Sequence, residues 1–302
     1  MKIVSHLKPR HLDDYLSIML LKSKYPMADV EYVHPQRVPQ GYYADKGVYL
    51  IDVGGEYNAE LKNFDHHQDK NIQCSFCLVL LHEFDAQFLN LKTVQAIDVI
   101  DRFGYKFAVN QGLTVPNKEV ENLRKILLLV EPSKQVGDIA FDVLKRIAEG
   151  KEQDDLNMFI TLLYREFDAF GLLEEAKKVF EAEEKLFKEK LNRAEIKNLG
   201  NLTVAVSYET LAPRHAELFS QGIDIIIERN AFDPKHSSFI INTASNKLKQ
   251  RNFNLENFPI VFKHATGFIT VVDMPIEEFA EKISSILSGQ DKKDGYINSK
   301  EV

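Results

Sequence analysis

The stretch that decides the fold is residues 48–68, VYLIDVGGEYNAELKNFDHHQ. Its apolar beginning predicts a short buried strand over Val48–Val53, with Asp52 as the polar residue that closes it. Gly54-Gly55 follows and allows the backbone to turn sharply. Asp65-His66-His67 comes next, and this triplet has few routine structural uses. The stretch therefore predicts a strand whose end leads into loops that carry chemistry.

Strand-like and helix-like segments alternate on both sides of this stretch. Lys2–Ser5 and Val30–Val33 are strand candidates, whereas Asp14–Lys24 and Ser75–Leu89 place apolar residues at helical spacing. Such alternation is typical of βαβ units around a largely parallel sheet. In sheets of this kind the functional loops lie at the carboxyl ends of the strands.

The second half of the chain predicts a helical region followed by a second sheet. Leu91–Lys197 reads as almost wholly helical, and its last part, Glu174–Lys197, resembles an exposed connecting helix that ends before the breaker Leu199-Gly200-Asn201. The predicted elements beyond the breaker are strands at Leu202–Ser207, Ile223–Glu228, Ser238–Asn242 and Phe268–Val272, a closing helix at Pro275–Leu287, and a polar, frayed end at Gly289–Val302.

These patterns predict an α/β fold class with two domains. We expect a parallel-sheet catalytic domain with a helical extension over residues 1–185, and a smaller α/β substrate-binding domain over residues 186–302. The boundary is expected within Glu174–Gly200, where helix formers give way to the breaker.

Composition restricts the classes of protein that fit. The net charge of −7 argues against coating of duplex DNA by bulk charge, although a metal site with a local basic cleft still allows a nucleic-acid substrate. The chain has no run of about 18 apolar residues, so we expect no membrane partner. Two cysteines give no disulfide framework, and the beginning, Met1–Val4, reads as a strand and not as a signal peptide. We therefore expect a soluble, cytoplasmic protein whose oligomeric state is open.

Histidine and aspartate gather in the first third of the chain. Five of the nine histidines precede residue 68. Besides Asp52 and the triplet, one cluster contains His6, His11 and Asp13, and another contains Asp98 and Asp101 on one face of a predicted helix. Alone, each residue has an ordinary explanation as a turn residue, a satisfied core histidine or a solvated helix face. The coincidence of four clusters favours a functional site.

The chemistry of a two-metal site explains such a set. Two divalent ions about 3.5–4 Å apart need hard oxygen or imidazole ligands, and one carboxylate that bridges them. The ions lower the pKa of a bound water and offset charge on phosphoryl oxygens. A set of His and Asp without thiolate favours Mn²⁺ over a structural zinc, with Mg²⁺, Co²⁺ or Fe²⁺ also compatible.

The motifs resemble the DHH phosphoesterase superfamily, and within it the MYG1-like branch. The branch has a strand that ends Asp-Val-Gly-Gly before Phe/Tyr-Asp-His-His-Gln, matched here by Ile51–Gly55 and Phe64–Gln68. Its opening motif, His followed five residues later by His-x-Asp-Asp/Glu, matches His6 and His11–Asp14. Two later motifs are similar to Asp98–Asp101 and to Phe262–Ile269.

The resemblance implies roles for individual residues. One metal would be held by His6, His11 and Asp52, and the other by Asp13, Asp52, His66 and Asp101, which makes Asp52 the bridge. Asp98 is an alternative to Asp101 as a metal ligand, or would support the ligands without contacting the metal. His67 would face the scissile phosphate, and Asp65 would orient a neighbouring imidazole. His264 and Gly267 would bind substrate from the smaller domain, and Arg229 is a candidate phosphate contact or an ordinary surface charge.

The chain departs from the branch outside the metal motifs. The opening loop reads Leu7–Arg10 where relatives carry a glycine, Arg102-Phe103 replaces Asn-Gly after Asp101, and the chain has no tryptophan. These differences concern the substrate pocket. Two further motifs have bland interpretations: Cys74-Ser75-Phe76-Cys77 predicts buried inert thiols, and the basic run Lys247–Arg251 predicts a solvated loop.

Three functions follow in order of preference. The first is a metal-dependent phosphodiesterase that shortens single-stranded RNA or short oligonucleotides from the 3′ end, which rests on the resemblance. The second keeps the metals but acts on a small nucleotide or another small phosphate compound. The third is a nucleotide-binding module without catalysis, which the intact ligand set disfavours.

Overall fold

The computed structural model describes residues 1–302 except 8, 9, 35, 36, 213, 232, 244, 249, 250, 254, 256, 264–268, 289–296 and 300–302. The chain divides into two compact units, Met1–Glu181 and Ala182–Val302. Each unit combines helices with one main sheet, so the predicted α/β fold class is confirmed. Among the described helices, none combines the length and the apolar character needed to cross a bilayer.

The sheet of the first unit has five strands, and four of them are parallel. The strands are β1 (Lys2–His6), β2 (Asp29–Val33), β3 (Val48–Ile51), β4 (Tyr57–Asn58) and β5 (Asn63–Phe64). Their order is β2-β1-β3-β5-β4, and only β4 runs antiparallel to its neighbour. Because β1, β3 and β5 point the same way, the residues that follow them emerge at one edge of the sheet.

Helices cover this sheet and form most of the core. They are α1 (Leu12–Lys24), α2 (Ser75–Glu83), α3 (Lys92–Phe103), α4 (Tyr105–Asn110), α5 (Lys118–Leu127), α6 (Lys134–Ala148), α7 (Leu156–Ala169) and α8 (Glu174–Arg193), which continues into the second unit; short 3₁₀ turns lie at Gln40–Tyr42, Ala59–Leu61 and Ala86–Asn90.

Helix α1 is central to the first unit. Every residue from Asp13 to Leu21 is buried, as expected for a helix packed on all sides. Helix α6 approaches it so closely that a Cβ at Gly137 would lie 2.1 Å from the Met19 carbonyl oxygen. Glycine is therefore required at this contact, which holds in place the helix whose first turn carries Asp13 and Asp14.

The sheet of the second unit is mostly antiparallel. The strands of this unit are β6 (Glu195–Leu199), β7 (Leu202–Ser207), β8 (Ile225–Arg229), β9 (Ser237–Ile241), β10 (Arg251–Phe253), β11 (Ile260–Lys263), β12 (Ile269–Val272) and β13 (Ile297–Ser299), and the helices are α9 (His215–Ser220) and α10 (Ile276–Leu287). Six strands form the sheet in the order β11-β12-β9-β8-β7-β6, with β7 and β8 parallel, while β10 and β13 pair separately.

Alternate residues of the central strands separate two core layers. Val204 and Ile227 pack with Phe279 of α10, whereas Ala205 and Ile226 pack with other residues on the opposite face. This period of two is the signature of a sheet covered on both faces.

Several predicted boundaries were wrong for local reasons. The helix predicted over Ser75–Leu89 ends at Glu83, because the Asp85 side chain accepts a hydrogen bond from Gln87 N (2.9 Å) and starts a new 3₁₀ turn. The predicted connecting helix ends at Arg193. Glu195–Leu199 instead pairs with β7 as an edge strand, so tertiary pairing outweighs helix propensity there.

Besides β6, five short strands were not predicted as strands: β4, β5, β10, β11 and β13. β4 and β5 have two residues each, too few for a recognisable alternation. Ile297–Ser299, within the end expected to fray, satisfies its backbone by antiparallel pairing with β10. Residue 268, at the beginning of the strand predicted over Phe268–Val272, lies outside the described residues, and the strand that is described begins at Ile269.

Candidate metal centre

Three strand ends bring histidines and carboxylates together. His6 is the last residue of β1, Asp52 directly follows β3, and Asp65-His66-His67 directly follows β5. Since the three strands are parallel, these residues meet at one edge of the sheet. Two sets of possible ligand atoms lie there: His6 with His11 and Asp52, and Asp52 with the triplet. Within each set, the atoms lie within 4.8 Å of one another. Asp52 belongs to both sets.

Asp52 has an unusual backbone that turns its carboxylate into the cluster. Its φ is +58°, a left-handed conformation that aspartate and asparagine tolerate better than most residues. The side chain is 1% exposed. Oδ2 lies 3.4 Å from His6 Nε2, and Oδ1 lies 3.3 Å from His66 Nδ1. Each carboxylate oxygen thus faces a different imidazole, which is the arrangement needed by a carboxylate that bridges two cations.

The first turn of α1 adds the next group of side chains. His11 occupies the N-cap position, and Asp13 follows inside the helix. Ligand atoms of His11, Asp13 and Asp101 lie within 4.8 Å of one another, and His11 Nδ1 is 3.7 Å from Asp101 Oδ1. His11 therefore lies between the set around Asp52 and the set that contains Asp101.

The structure separates the two aspartates of α3. Asp101 Oδ2 is 2.9 Å from His66 Nε2, so this carboxylate faces the cluster. Asp98 faces elsewhere: its Oδ1 accepts hydrogen bonds from Cys74 N (2.7 Å) and Arg102 Nε (2.9 Å), and its Oδ2 contacts the same guanidinium. Of the two alternatives, Asp101 is the one brought beside the other predicted ligands.

Several buried polar atoms of the cluster have no hydrogen-bond partner among the described residues. They are His6 Nε2, His66 Nδ1, both carboxylate oxygens of Asp13, and Asp14 Oδ1. Leaving a buried polar atom unpaired costs about 1–3 kcal/mol, so such atoms call for an explanation. Since lone pairs from imidazole and carboxylate converge here, the donor set fits divalent cations.

The pKa values of the buried carboxyls agree with this interpretation. Burial, followed by the neighbouring charges of Asp101 and Asp52, raises the pKa of Asp13 well above its ordinary value. Burial also raises the pKa of Asp14 to about 7. Burial opposes ionisation of Asp52 as well, but His6, His67 and His66 outweigh it and lower the pKa of this carboxyl. Bound cations would stabilise all of these carboxylates in their charged form.

His6 is held in the tautomer that a ligand requires. Its Nδ1 donates a hydrogen bond to the Leu7 carbonyl oxygen (2.7 Å), which leaves the lone pair of Nε2 directed at the cluster. Burial lowers the pKa of this imidazole, but the nearby carboxylates of Asp52 and Asp14 prevail and raise the pKa to about 9. A cation at Nε2 would replace that proton.

His67 differs from the other imidazoles because it is exposed. Its side chain is 59% exposed, compared with 7% for His66, on which it stacks at 4.6 Å. Its Nδ1 donates to Asp65 Oδ1 (2.7 Å), and this bond raises the pKa of His67 to about 9. Asp65 is fixed in turn by Gly55 N, which donates to Oδ2 (2.6 Å). The result is an oriented imidazolium that a solvent molecule or a ligand can reach.

Asp14 is a buried residue of the cluster to which the sequence motifs assigned no role. It is 0% exposed, its Oδ2 lies 3.4 Å from His6 Nε2, and Ser5 Oγ donates to the same oxygen (3.3 Å). One sequence signal could have identified this residue: Asp14 is the second of two adjacent acidic residues in the first turn of a helix that follows a His-rich loop. In sequence, however, such a residue is usually explained by the helix dipole.

The predicted substrate contacts lie in the second unit. Arg229 ends β8, where its side chain is 41% exposed and its guanidinium is 3.8 Å from Glu277. His264 and Gly267 lie outside the described residues. In the basic run, Lys247 forms an ion pair with the buried Asp224 (2.8 Å) and is therefore more than a solvated charge. The phosphate-contact role of Arg229 stays a prediction.

The two cysteines are buried, as predicted. Their sulfur atoms are 3.9 Å apart at the beginning of α2, close to Asp98. Burial raises the pKa of the Cys74 thiol, which makes it a poor nucleophile. Asp98 is already satisfied by Arg102 and Cys74 N, so we assign this group no chemistry.

None of the curated proteins matches the chain significantly. Among solved structures, the chain is similar to a pGpG-specific phosphodiesterase, PggH from Vibrio cholerae, with 17% identity, a TM-score of 0.48, and coverage of 97% of this chain and 99% of that one. It is also similar to an uncharacterised protein from Helicobacter pylori G27, with 14% identity, a TM-score of 0.29, and coverage of 95% and 99%. Residues 2–76 match the model of the family MYG1_exonuc, described as uncharacterised protein family UPF0160, and this match supports the MYG1-like resemblance of the N-terminal motifs.

Proposed function

We propose that the chain is a phosphodiesterase that uses divalent cations held at the edge of the first sheet. The observation that supports this most strongly is the position of Asp52, which faces imidazoles of two ligand sets with its two oxygens. Structural carboxylates are normally paired with hydrogen-bond donors, whereas this cluster buries acceptors that face one another. The family match at residues 2–76 agrees with the proposal.

The ligand roles in this proposal are those that the resemblance implies. We assign His6, His11 and Asp52 to one cation, and Asp13, Asp52, His66 and Asp101 to the other. Mn²⁺ is our first choice, because the set mixes imidazole and carboxylate and contains no thiolate. When bound, such cations provide a reactive hydroxide near neutral pH and offset the charge of the phosphoryl oxygens.

His67 and Asp65 supply the acid–base chemistry. In this proposal the imidazolium of His67, which is 59% exposed, contacts the phosphodiester and gives the proton on Nε2 to the leaving oxygen. Asp65 keeps the ring oriented through Nδ1 and favours its protonated form. Asp65 is thus a positioning residue, and His67 is the residue that moves a proton.

We further propose that the substrate is single-stranded RNA or a short oligonucleotide, degraded from the 3′ end. The resemblance to the MYG1-like branch supports this substrate class. In the same proposal, Arg229, His264 and Gly267 of the second unit contribute substrate contacts.

The proposal is tested by offering the purified protein a panel of substrates with Mn²⁺. End-labelled single-stranded RNA and DNA oligomers are incubated with the protein and separated on a gel, beside mononucleotides, linear and cyclic dinucleotides and pyrophosphate. We expect stepwise shortening of RNA that stops when EDTA is added. Hydrolysis of the small compounds alone would move the function to a small-nucleotide phosphohydrolase. A protein that binds Mn²⁺ and cleaves no phosphoester would contradict the proposal.

Asp14→Asn is predicted to weaken cation binding without removing a ligand. Asp14 places a buried negative charge 3.4 Å from His6 Nε2, and the amide keeps the shape but loses the charge. Losses of about 10- to 100-fold in affinity are typical when a supporting group of a metal site is removed. Calorimetric titration with Mn²⁺ measures the change, and Asp142→Asn, at a 65% exposed carboxylate of the same unit, is the control. An unchanged affinity would mean that Asp14 does not support the site.

A further inference from the structure

A group of exposed aromatic side chains lies where α3 meets α4. Phe103, Tyr105, Phe107 and Val109 are 38%, 44%, 42% and 55% exposed, and we call these four residues the α4 aromatic patch. Gly104, with φ +84°, turns the chain between the two helices and allows Phe103 and Phe107 to meet. Exposed aromatic residues this dense usually mark a binding surface.

The rings of the patch form a platform with positive charge at its edge. The Phe103 and Phe107 rings are 4.9 Å apart with an interplanar angle of 36°. The Arg102 guanidinium lies 4.7 Å from the Phe103 ring centre, in a cation–π contact. Residues 102–110 contain Arg102 and Lys106 but no acidic residue, although the chain as a whole is acidic. Because Arg102 is paired with Asp98, the positive charge that the patch offers to a ligand comes from Lys106. The patch therefore suits a ligand with flat rings and a phosphate near Lys106.

The patch adjoins the candidate metal centre. Phe103 follows Asp101 by two residues on α3, and the hydroxyl of Tyr105 donates to Glu121 on α5 (3.4 Å). The Glu121 carboxylate also accepts hydrogen bonds from Nε and Nη2 of Arg124. Arg102, the residue before Phe103, donates a hydrogen bond to the Lys70 carbonyl oxygen (2.7 Å) in the loop that follows His66-His67. The end of α3 that carries Phe103 therefore contacts the loop that follows the predicted ligand His66.

We propose that the α4 aromatic patch is a stacking platform for the nucleobases of a substrate whose phosphodiester is bound at the metal centre. The inference rests on the proposed function and names the substrate feature that the site recognises. Every base has a π-face, so aromatic rings hold single-stranded nucleic acid without demanding a sequence. The basic side chain of Lys106 would face the phosphates between the bases. A substrate without bases gains nothing from the platform.

The test compares a base-bearing oligomer with an abasic oligomer of equal length. The variant F103L/F107L removes both rings and keeps apolar side chains, and F107L alone serves if the double variant does not fold. The control is Phe170→Leu, at a 58% exposed aromatic residue of the same unit. Anisotropy of fluorescein-labelled oligoadenylate in EDTA reports binding, while KM and kcat with Mn²⁺ report turnover.

We expect the affinity of the double variant for the oligoadenylate to fall about tenfold and its KM to rise about tenfold, which corresponds to one lost stack. The abasic oligomer, the Mn²⁺ content and the control variant should show no change. Equal losses on both oligomers, or none on either, would overturn the inference. So would a dimer that dissociates in the variant while oligoadenylate binding stays intact, since the patch would then serve self-association. The anisotropy arm needs no hydrolysis, so it separates failure of the platform from failure of the proposed function.

Discussion

Asp52→Asn is expected to reduce phosphodiester turnover by at least about 10³-fold. The amide removes the negative charge that lies between two imidazoles, with Oδ2 facing His6 and Oδ1 facing His66. Without that charge we expect the protein to bind fewer than two Mn²⁺ ions. Metal analysis of the variant after dialysis against Mn²⁺ and steady-state kinetics on an RNA oligomer measure the two effects.

Asparagine is the correct replacement because the backbone at this position is left-handed. Asparagine tolerates a φ of +58°, whereas most other residues would add strain and confuse a folding defect with a catalytic one. Asp69→Asn, at an exposed carboxylate in the loop that follows the His pair, is the matched control. Turnover near that of the unmodified protein would show that Asp52 does not bridge cations.

His67→Ala is expected to reduce kcat by about 10²- to 10⁴-fold, the usual contribution of a group that transfers a proton in the rate-limiting step. We expect Mn²⁺ content to be retained, because the imidazole is 59% exposed and its Nδ1 is engaged by Asp65. A reduced kcat with retained Mn²⁺ would distinguish His67 from His66, because replacement of His66 should release metal.

Asp65→Asn provides the comparison for His67. The amide retains the shape of the side chain but weakens the bond that orients the ring and raises its pKa. We expect a smaller loss of kcat than in His67→Ala, of about tenfold, with metal content intact. Loss of metal in His67→Ala would reassign that residue to the ligand set. A larger loss of kcat in Asp65→Asn than in His67→Ala would mean that Asp65 does more than orient the ring.

The sequence alone determined which segments carry the site, because strand and helix periods differ. Alternation of these periods predicted the parallel sheet, and parallel strands deliver their following residues to one edge. His6 after β1 and Asp52 after β3 were therefore expected at the same edge. The strand β5, which brings the triplet to that edge, was not predicted from the sequence, and in the structure all three segments meet.

Only the tertiary structure distinguished residues that share one helical face. Asp98 and Asp101 are three residues apart, so helical period gives them the same direction. Their neighbours differ: Cys74 N, from the beginning of α2, and Arg102, four residues further along the same helix, bind Asp98, whereas Asp101 faces His66. The burial of Asp14 beside His6 and the exposure of His67 depend in the same way on packing between distant segments. The helical period sets the direction of a side chain. Contacts between distant segments, which no local sequence pattern encodes, decide which groups lie next to it.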